Sequence, residues 1–145
     1  MNEFIEQKII GAVQGLLTGQ VNKILGELEF PIPQIELGNY GKGYAVAPRI
    51  SLMSCERTEK ERIILLDSYT MTITFDLPEV RDSELFCYAY GGALGRAVHE
   101  NPTMGGVVDR VEITGKKYVP PKMLNCGEGW SLIVSLHLTV EGLNK

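Results

Sequence analysis

The sequence predicts an α+β fold: a two-layer sandwich in which a mixed, mostly antiparallel sheet of about four to five strands carries two helices packed on one face. Three observations predict it. Residues Tyr69–Leu77 and Trp130–Val140 alternate apolar and polar side chains with period two, the pattern of strands with one buried face. Residues 2–28 and 83–100 instead repeat apolar residues every three or four positions, the pattern of helices with one buried stripe. The 145 residues, 44% apolar and 22% charged, suit one domain (residues 1–145) with its own core.

In the first helical segment, Ile5, Ile9, Ala12, Val13, Leu16 and Leu17 share the stripe, while Glu6, Lys8, Gln14 and Gln20 fall on other faces. Gly11, Gly15 and Gly19 each weaken a helix interior by about 1 kcal/mol relative to Ala. Their spacing of four would line them into a smooth ridge, but a mediocre helix held by its apolar face is the simpler reading. Pro31 and Pro33 end the helical region, since each fixes φ and lacks a donor. A short extended piece, Gln34–Leu37, and a glycine-rich turn, Gly38–Gly43, come next. From Tyr44 to Ser54 the apolar residues Val46, Ile50 and Leu52 are interrupted by Pro48, which predicts an edge strand or one that begins irregularly.

The clearest strand places Tyr69, Met71, Ile73, Phe75 and Leu77 on one side and Ser68, Thr70, Thr72, Thr74 and Asp76 on the other. Asp82 is the expected N-cap of the second helix, Ser83–Glu100, whose stripe is Leu85, Phe86, Ala89, Ala93 and Ala97. Pro102 lies just past its end. A weaker strand, Gly106–Tyr118, carries Val107, Val111 and Ile113. The last strand turns Trp130, Leu132, Val134, Leu136, Leu138 and Val140 one way and Ser131, Ser135, His137, Thr139 and Glu141 the other, with Ile133 as the exception.

The charge balance narrows the partners. Eighteen acidic against 14 basic side chains give a net charge of −4, where a duplex-binding protein usually presents a basic face. No sequence-specific nucleic-acid binding is expected. Cys55, Cys87 and Cys126 are odd in number and widely spaced, so neither a disulfide framework nor a CxxC pair arises. Glu3 and Glu6 stand where a secretory leader would carry basic residues. Gly11, Gln14 and Gly15 break the apolar patch Ile9–Leu17, which is too short to span a bilayer. The product is expected to stay where it is made, away from membranes.

The chemistry-bearing residues do not converge on a reaction. His99 and His137 lack the spacing of a zinc site, and no Cys/His pair supplies one. No GxSxG elbow is present, and no cysteine has a neighbouring nucleophile signature. Gly91, Gly92 and Gly95 lie inside the second helix and follow no strand, so small-residue packing explains them better than a dinucleotide loop. The expectation is a chain with no catalytic site, no metal and no cofactor.

One segment stands apart. Glu56-Arg57-Thr58-Glu59-Lys60-Glu61-Arg62 alternates charge between two strands, as a solvated hairpin tip would. Ile63-Ile64-Leu65-Leu66 follows at once, apolar without alternation, which asks for burial on both faces. A two-layer domain covers only one face. Two readings stand: a hairpin folded back on the core, or a subunit interface carried by Glu56, Arg57, Glu59, Lys60, Arg62, Ile64 and Leu66.

Three stretches carry a resemblance: Tyr69-Thr-Met-Thr-Ile-Thr-Phe-Asp, Leu85-Phe-Cys-Tyr-Ala-Tyr-Gly-Gly-Ala-Leu-Gly-Arg-Ala-Val, and Asn101-Pro-Thr-Met-Gly-Gly-Val-Val-Asp. With the closing strands Val111–Tyr118 and Trp130–Leu136, they resemble the phage tail terminator, or tail-completion, proteins over about residues 45–141. The resemblance rests on order and spacing more than on signature residues. It implies a structural subunit of the virion tail, made in the bacterial host cytoplasm. Such subunits form a ring, commonly a hexamer, that caps the tail tube, stops its polymerisation and meets the head–tail connector protein. Its implied partners are copies of itself, the tail tube protein and the connector, and no active site is implied. Another head–tail connector or minor tail subunit is the alternative, with a small-ligand-binding α+β domain the outsider.

Overall fold

A computed structural model of the chain describes residues 4–29, 31–37, 46–61, 64–78, 82–121 and 128–143. Helix α1 (Ile5–Leu16) continues through one π-helical turn (Leu17–Val21) into α2 (Asn22–Gly26) on unbroken helical backbone. The wide turn follows from the sequence. Every fourth residue is buried: Ile9, Val13, Leu17, Val21 and Leu25. An α-helix turns every 3.6 residues, so such a stripe drifts by about 40° per step; a π turn takes up the drift and keeps the stripe on the core. Side chains capture carbonyls along this stretch, with Thr18 Oγ1 donating to Gln14 O at 3.0 Å and Asn22 Nδ2 to Thr18 O at 3.2 Å. Among the described residues the glycine ridge packs against nothing: an added Cβ at Gly11, Gly15 or Gly19 would meet no atom within 4 Å.

Strands β1 (Arg49–Glu61), β2 (Ile64–Pro78), β3 (Arg110–Val119) and β4 (Glu128–Leu143) form one sheet in the order β1-β2-β4-β3. Every pairing is antiparallel, so the expected mixture of directions does not arise. The extended piece Gln34–Leu37 supplies no fifth strand. It makes one parallel bridge, Ile35 to Val46, and is held instead by Asn22, whose amide donates to Ile35 O at 2.8 Å and accepts from Ile35 N at 2.7 Å. The turn expected at Gly38–Gly43 lies outside the described residues.

Helices α1, α2 and α3 (Ser83–Glu100) cover one face of the sheet. Tyr69, Met71, Ile73, Phe75 and Leu77 of β2 meet Leu132, Val134, Leu136 and Leu138 of β4 in the core, as the period-two pattern predicts. Along α3, Ala93 and Ala97 are buried as expected, but the centre of the buried face is rotated from the expected stripe. Cys87, Tyr90, Gly91, Leu94, Ala97 and Val98 are buried, whereas Leu85 is 44% exposed. The stripe is rotated because Tyr90 stacks on Phe75 at 5.2 Å and bonds Pro33 O, fixing which side of the helix faces inward. Asp82 occupies the N-cap position but makes no capping bond; the Ser83 hydroxyl instead accepts from Trp130 N at 3.3 Å.

β3 starts at Arg110 rather than Gly106 for a backbone reason. Met104, Gly105 and Gly106 take φ of 48°, 71° and 91°. Only glycine does so freely, and three such residues in a row cannot lie in a strand. The Asn101–Asp109 motif therefore works as a reversal between α3 and β3. Asn101 Nδ2 caps Ala97 O at 2.8 Å, and Val111 N bonds Pro102 O at 2.8 Å.

Candidate subunit interface

Residues 56–61 of the charged run lie within a strand rather than in a turn between strands. They complete β1, and all but the bulged Lys60 have a partner on β2: Glu56 opposite Ser68, Arg57 opposite Asp67, Thr58 opposite Leu66, Glu59 opposite Leu65 and Glu61 opposite Ile64. Alternating charge carries no apolar face, so nothing in residues 56–61 taken alone announces a strand. Strand β4 runs alongside to Leu143, which pairs with Ile64. The segment thus belongs to a three-stranded arm. Tyr69 is the last fully buried position before it, its hydroxyl donating to Glu6 Oε2 at 2.5 Å near the start of α1. Burial and that carboxylate together hold the Tyr69 phenol well above its ordinary pKa.

Beyond Tyr69 the core gives out. Leu65 and Asp67 continue the helix-side face of β2, and Ile64 and Leu66 continue the helix-free face; all four are half-buried. Both readings of the apolar run are thereby refined: it does not fold back on the core, and neither of its faces is fully covered. Among the residues predicted for an interface, Glu56, Arg57 and Glu59 are exposed on β1, and Lys60 lies within the same strand. Arg62 lies outside the described residues.

Sequence reasoning missed Asp67. Arg57 donates to both its oxygens, Nε at 2.6 Å and Nη2 at 2.9 Å, while the Asp67 side chain is only 15% exposed. The guanidinium bond holds the Asp67 carboxyl below its ordinary pKa, and the same contact raises that of Arg57. The pair clamps β1 to β2 where the helices no longer help. Hairpin symmetry could have found it, because Arg57 and Asp67 stand equally far from residue 62.

Elsewhere, side chains with chemical potential are dispersed. His137 lies on the helix-free face, Nδ1 3.6 Å from Glu112 Oε1, and Glu112 also meets Arg110 at 3.3 Å. His99 is exposed at the end of α3. Burial pushes the Cys87 thiol up to about 11, with the Glu84 charge adding to it, which leaves it un-ionised. Among the described residues, no group of three or more His, Cys, Asp or Glu side chains is placed to hold a metal ion. No described helix is long and apolar enough to cross a membrane. An open cleft of about 450 Å³ runs between α3 and β3, lined by Gly95, Val98, His99, Val111, Ile113 and Lys116. Beside it sits an exposed apolar patch in which Tyr88 and Tyr118 meet edge to face at 5.4 Å next to Leu85. The chain matches no family model and no curated protein.

Proposed function

We propose that the chain is a structural subunit of a phage tail, forming a ring that caps the tail tube, ends its polymerisation and joins it to the head connector. The observation that carries the reading is the three-stranded arm. Its Ile64, Leu65 and Leu66 remain half-buried on opposite faces, and among the described residues of a single copy nothing further covers them. Apolar surface of that kind marks an interaction site. Used once per copy against a different patch on the next, the arm gives a head-to-tail contact that closes into a ring. The resemblance of residues 45–141 to tail terminators supplies the biological setting, and the partners are further copies, the tube protein and the connector.

No catalytic role is assigned, and no cofactor is called for by the arm. The test is genetic. Deleting the gene from the phage or prophage that encodes it yields tail tubes of uncontrolled length that do not join heads. Tails of normal length that fail only at joining favour a connector subunit, and fully normal particles overturn the reading.

A further inference from the structure

The order β1-β2-β4-β3 leaves two edges, β1 and β3, and among the described residues no strand pairs with the outer side of either; only Val111 N, at the start of β3, is taken, by Pro102 O. Each edge presents a row of unused backbone donors and acceptors. We infer that these edges mate between copies of the chain: β1 of one copy pairs antiparallel with β3 of the next, and the arm's side chains settle on the α3–β3 cleft. The inference rests on the self-association part of the ring reading and names the surface that receives the arm.

Strand direction permits it. All three pairings are antiparallel, so β1 and β3 themselves run in opposite directions. A second copy added at β3 with the same face toward the helices therefore continues the antiparallel alternation without inverting a layer.

Charge selects this pairing over its rivals. On β1, Arg49 is bound to Asp76 and Arg57 to Asp67, while Glu56 and Glu59 are exposed with no ion pair among the described residues. On β3, Arg110 is bound to Glu112, and Lys116 and Lys117 are exposed with none. Like-with-like pairing would set acid against acid at β1 and lysine against lysine at β3. Lysines on an edge ordinarily repel another edge; here the opposite edge of the same molecule carries the acids that match them.

The regular stretches also correspond. Bulges at Met53 and Lys60 bracket residues 54–59 of β1, and the bulge at Thr114 leaves residues 115–119 of β3 regular. Glu59 and Lys116 both belong to the helix-side face, Glu56 and Lys117 to the helix-free face. Setting Glu59 opposite Lys116 puts Thr58 opposite Lys117 and Arg57 opposite Tyr118, with Glu56 diagonal to Lys117, within reach of a long side chain. Tyr118, Tyr88 and Leu85 then form the apolar platform that receives the helix-side residues of the arm, Arg57, Glu59 and Leu65.

Disulfide trapping tests the register. Thr58→Cys with Lys117→Cys, in a Cys55→Ser and Cys126→Ser background, gives on mild oxidation a ladder of multiples of the 16.0 kDa chain. Either cysteine alone gives none. Dimers from Thr58→Cys alone overturn the inference, because they mean β1 meeting β1. Assembly without cross-links also overturns it and leaves the ring reading standing on another surface, whereas a folded chain that stays at 16.0 kDa overturns both. Charge reversal gives a second arm: Glu59→Lys weakens association about tenfold and adding Lys116→Glu restores it. A double variant weaker than either single one contradicts the pairing.

Discussion

Replacing Ile64 and Leu66 together by glutamate separates assembly from folding. Both side chains point to the helix-free face at the arm's end of β2, and both are half-buried in the single chain. Full burial of such a side chain stabilises by about 1.5–3 kcal/mol, so about 1 kcal/mol of burial is at stake at each position. The new carboxylates would also stand in register with acids, one opposite Glu61 on β1 and the other opposite Glu141 on β4. Like charges placed opposite add a further fraction of a kcal/mol each. The sum, about 2–4 kcal/mol, lies below the roughly 5–15 kcal/mol that holds a domain together. The chain stays folded. Contact of the arm's helix-free face with a neighbouring copy or the tail tube must strip water from both carboxylates, and an uncompensated buried charge costs about 3–5 kcal/mol. One such charge weakens assembly at least a hundredfold, at about 1.4 kcal/mol per factor of ten. Sedimentation with circular dichroism reads both quantities. A folded, dissociated variant is expected. Global unfolding would show that the monomer's own stability depends on the run, and unchanged assembly with unchanged stability would make it a solvated strand end outside any interface.

Three further outcomes are expected. Gly11→Ala and Gly15→Ala each raise stability by about 0.5–1 kcal/mol, because an added Cβ meets nothing within 4 Å and the backbone is helical; a melt shifted downward would mean the ridge is a packed contact. Ala93→Leu forces bulk into a buried position of α3 and costs about 1–3 kcal/mol, so a variant melting with the parent would place that residue elsewhere. Asp67 titrates below its unfolded pKa because Arg57 binds it. Its stabilisation is therefore complete above the unfolded pKa and is lost as pH falls through the lower folded value. Asp67→Asn should flatten that part of the acid unfolding profile, and an unchanged profile refutes the clamp.

The parts of the fold that were legible are those where burial alone dictates residue choice. β2 and β4 each have one face against the helices and one without cover, so their sequences alternate from Tyr69 to Leu77 and, with Ile133 the exception, from Trp130 to Val140. Pro48 foretold an edge strand, and β1 begins one residue later at the sheet's edge. The phase of α3 was not legible. Its inward side is made of Cys87, Tyr90, Gly91, Ala93, Leu94 and Ala97, and its outward side holds Leu85 and Tyr88, so size and stacking decide the phase rather than hydrophobicity. The arm was half legible. Ile64-Leu65-Leu66 announced two-faced burial, but the strand character of Glu56–Glu61 comes from pairing with β2 and has no apolar signature of its own. The cleft beside β3 was not visible, because Gly95, Val98, His99 and Val111 meet only through the reversal at Asn101–Asp109.

A ring-forming subunit declares itself in its mass under native conditions. Native mass spectrometry across a range of protein concentrations should give one closed species at a whole multiple of the 16.0 kDa chain, six copies being the expected number. Intermediate sizes should disappear as the ring closes. A single species at 16.0 kDa at every concentration, or an open series of ever larger polymers, would contradict ring formation.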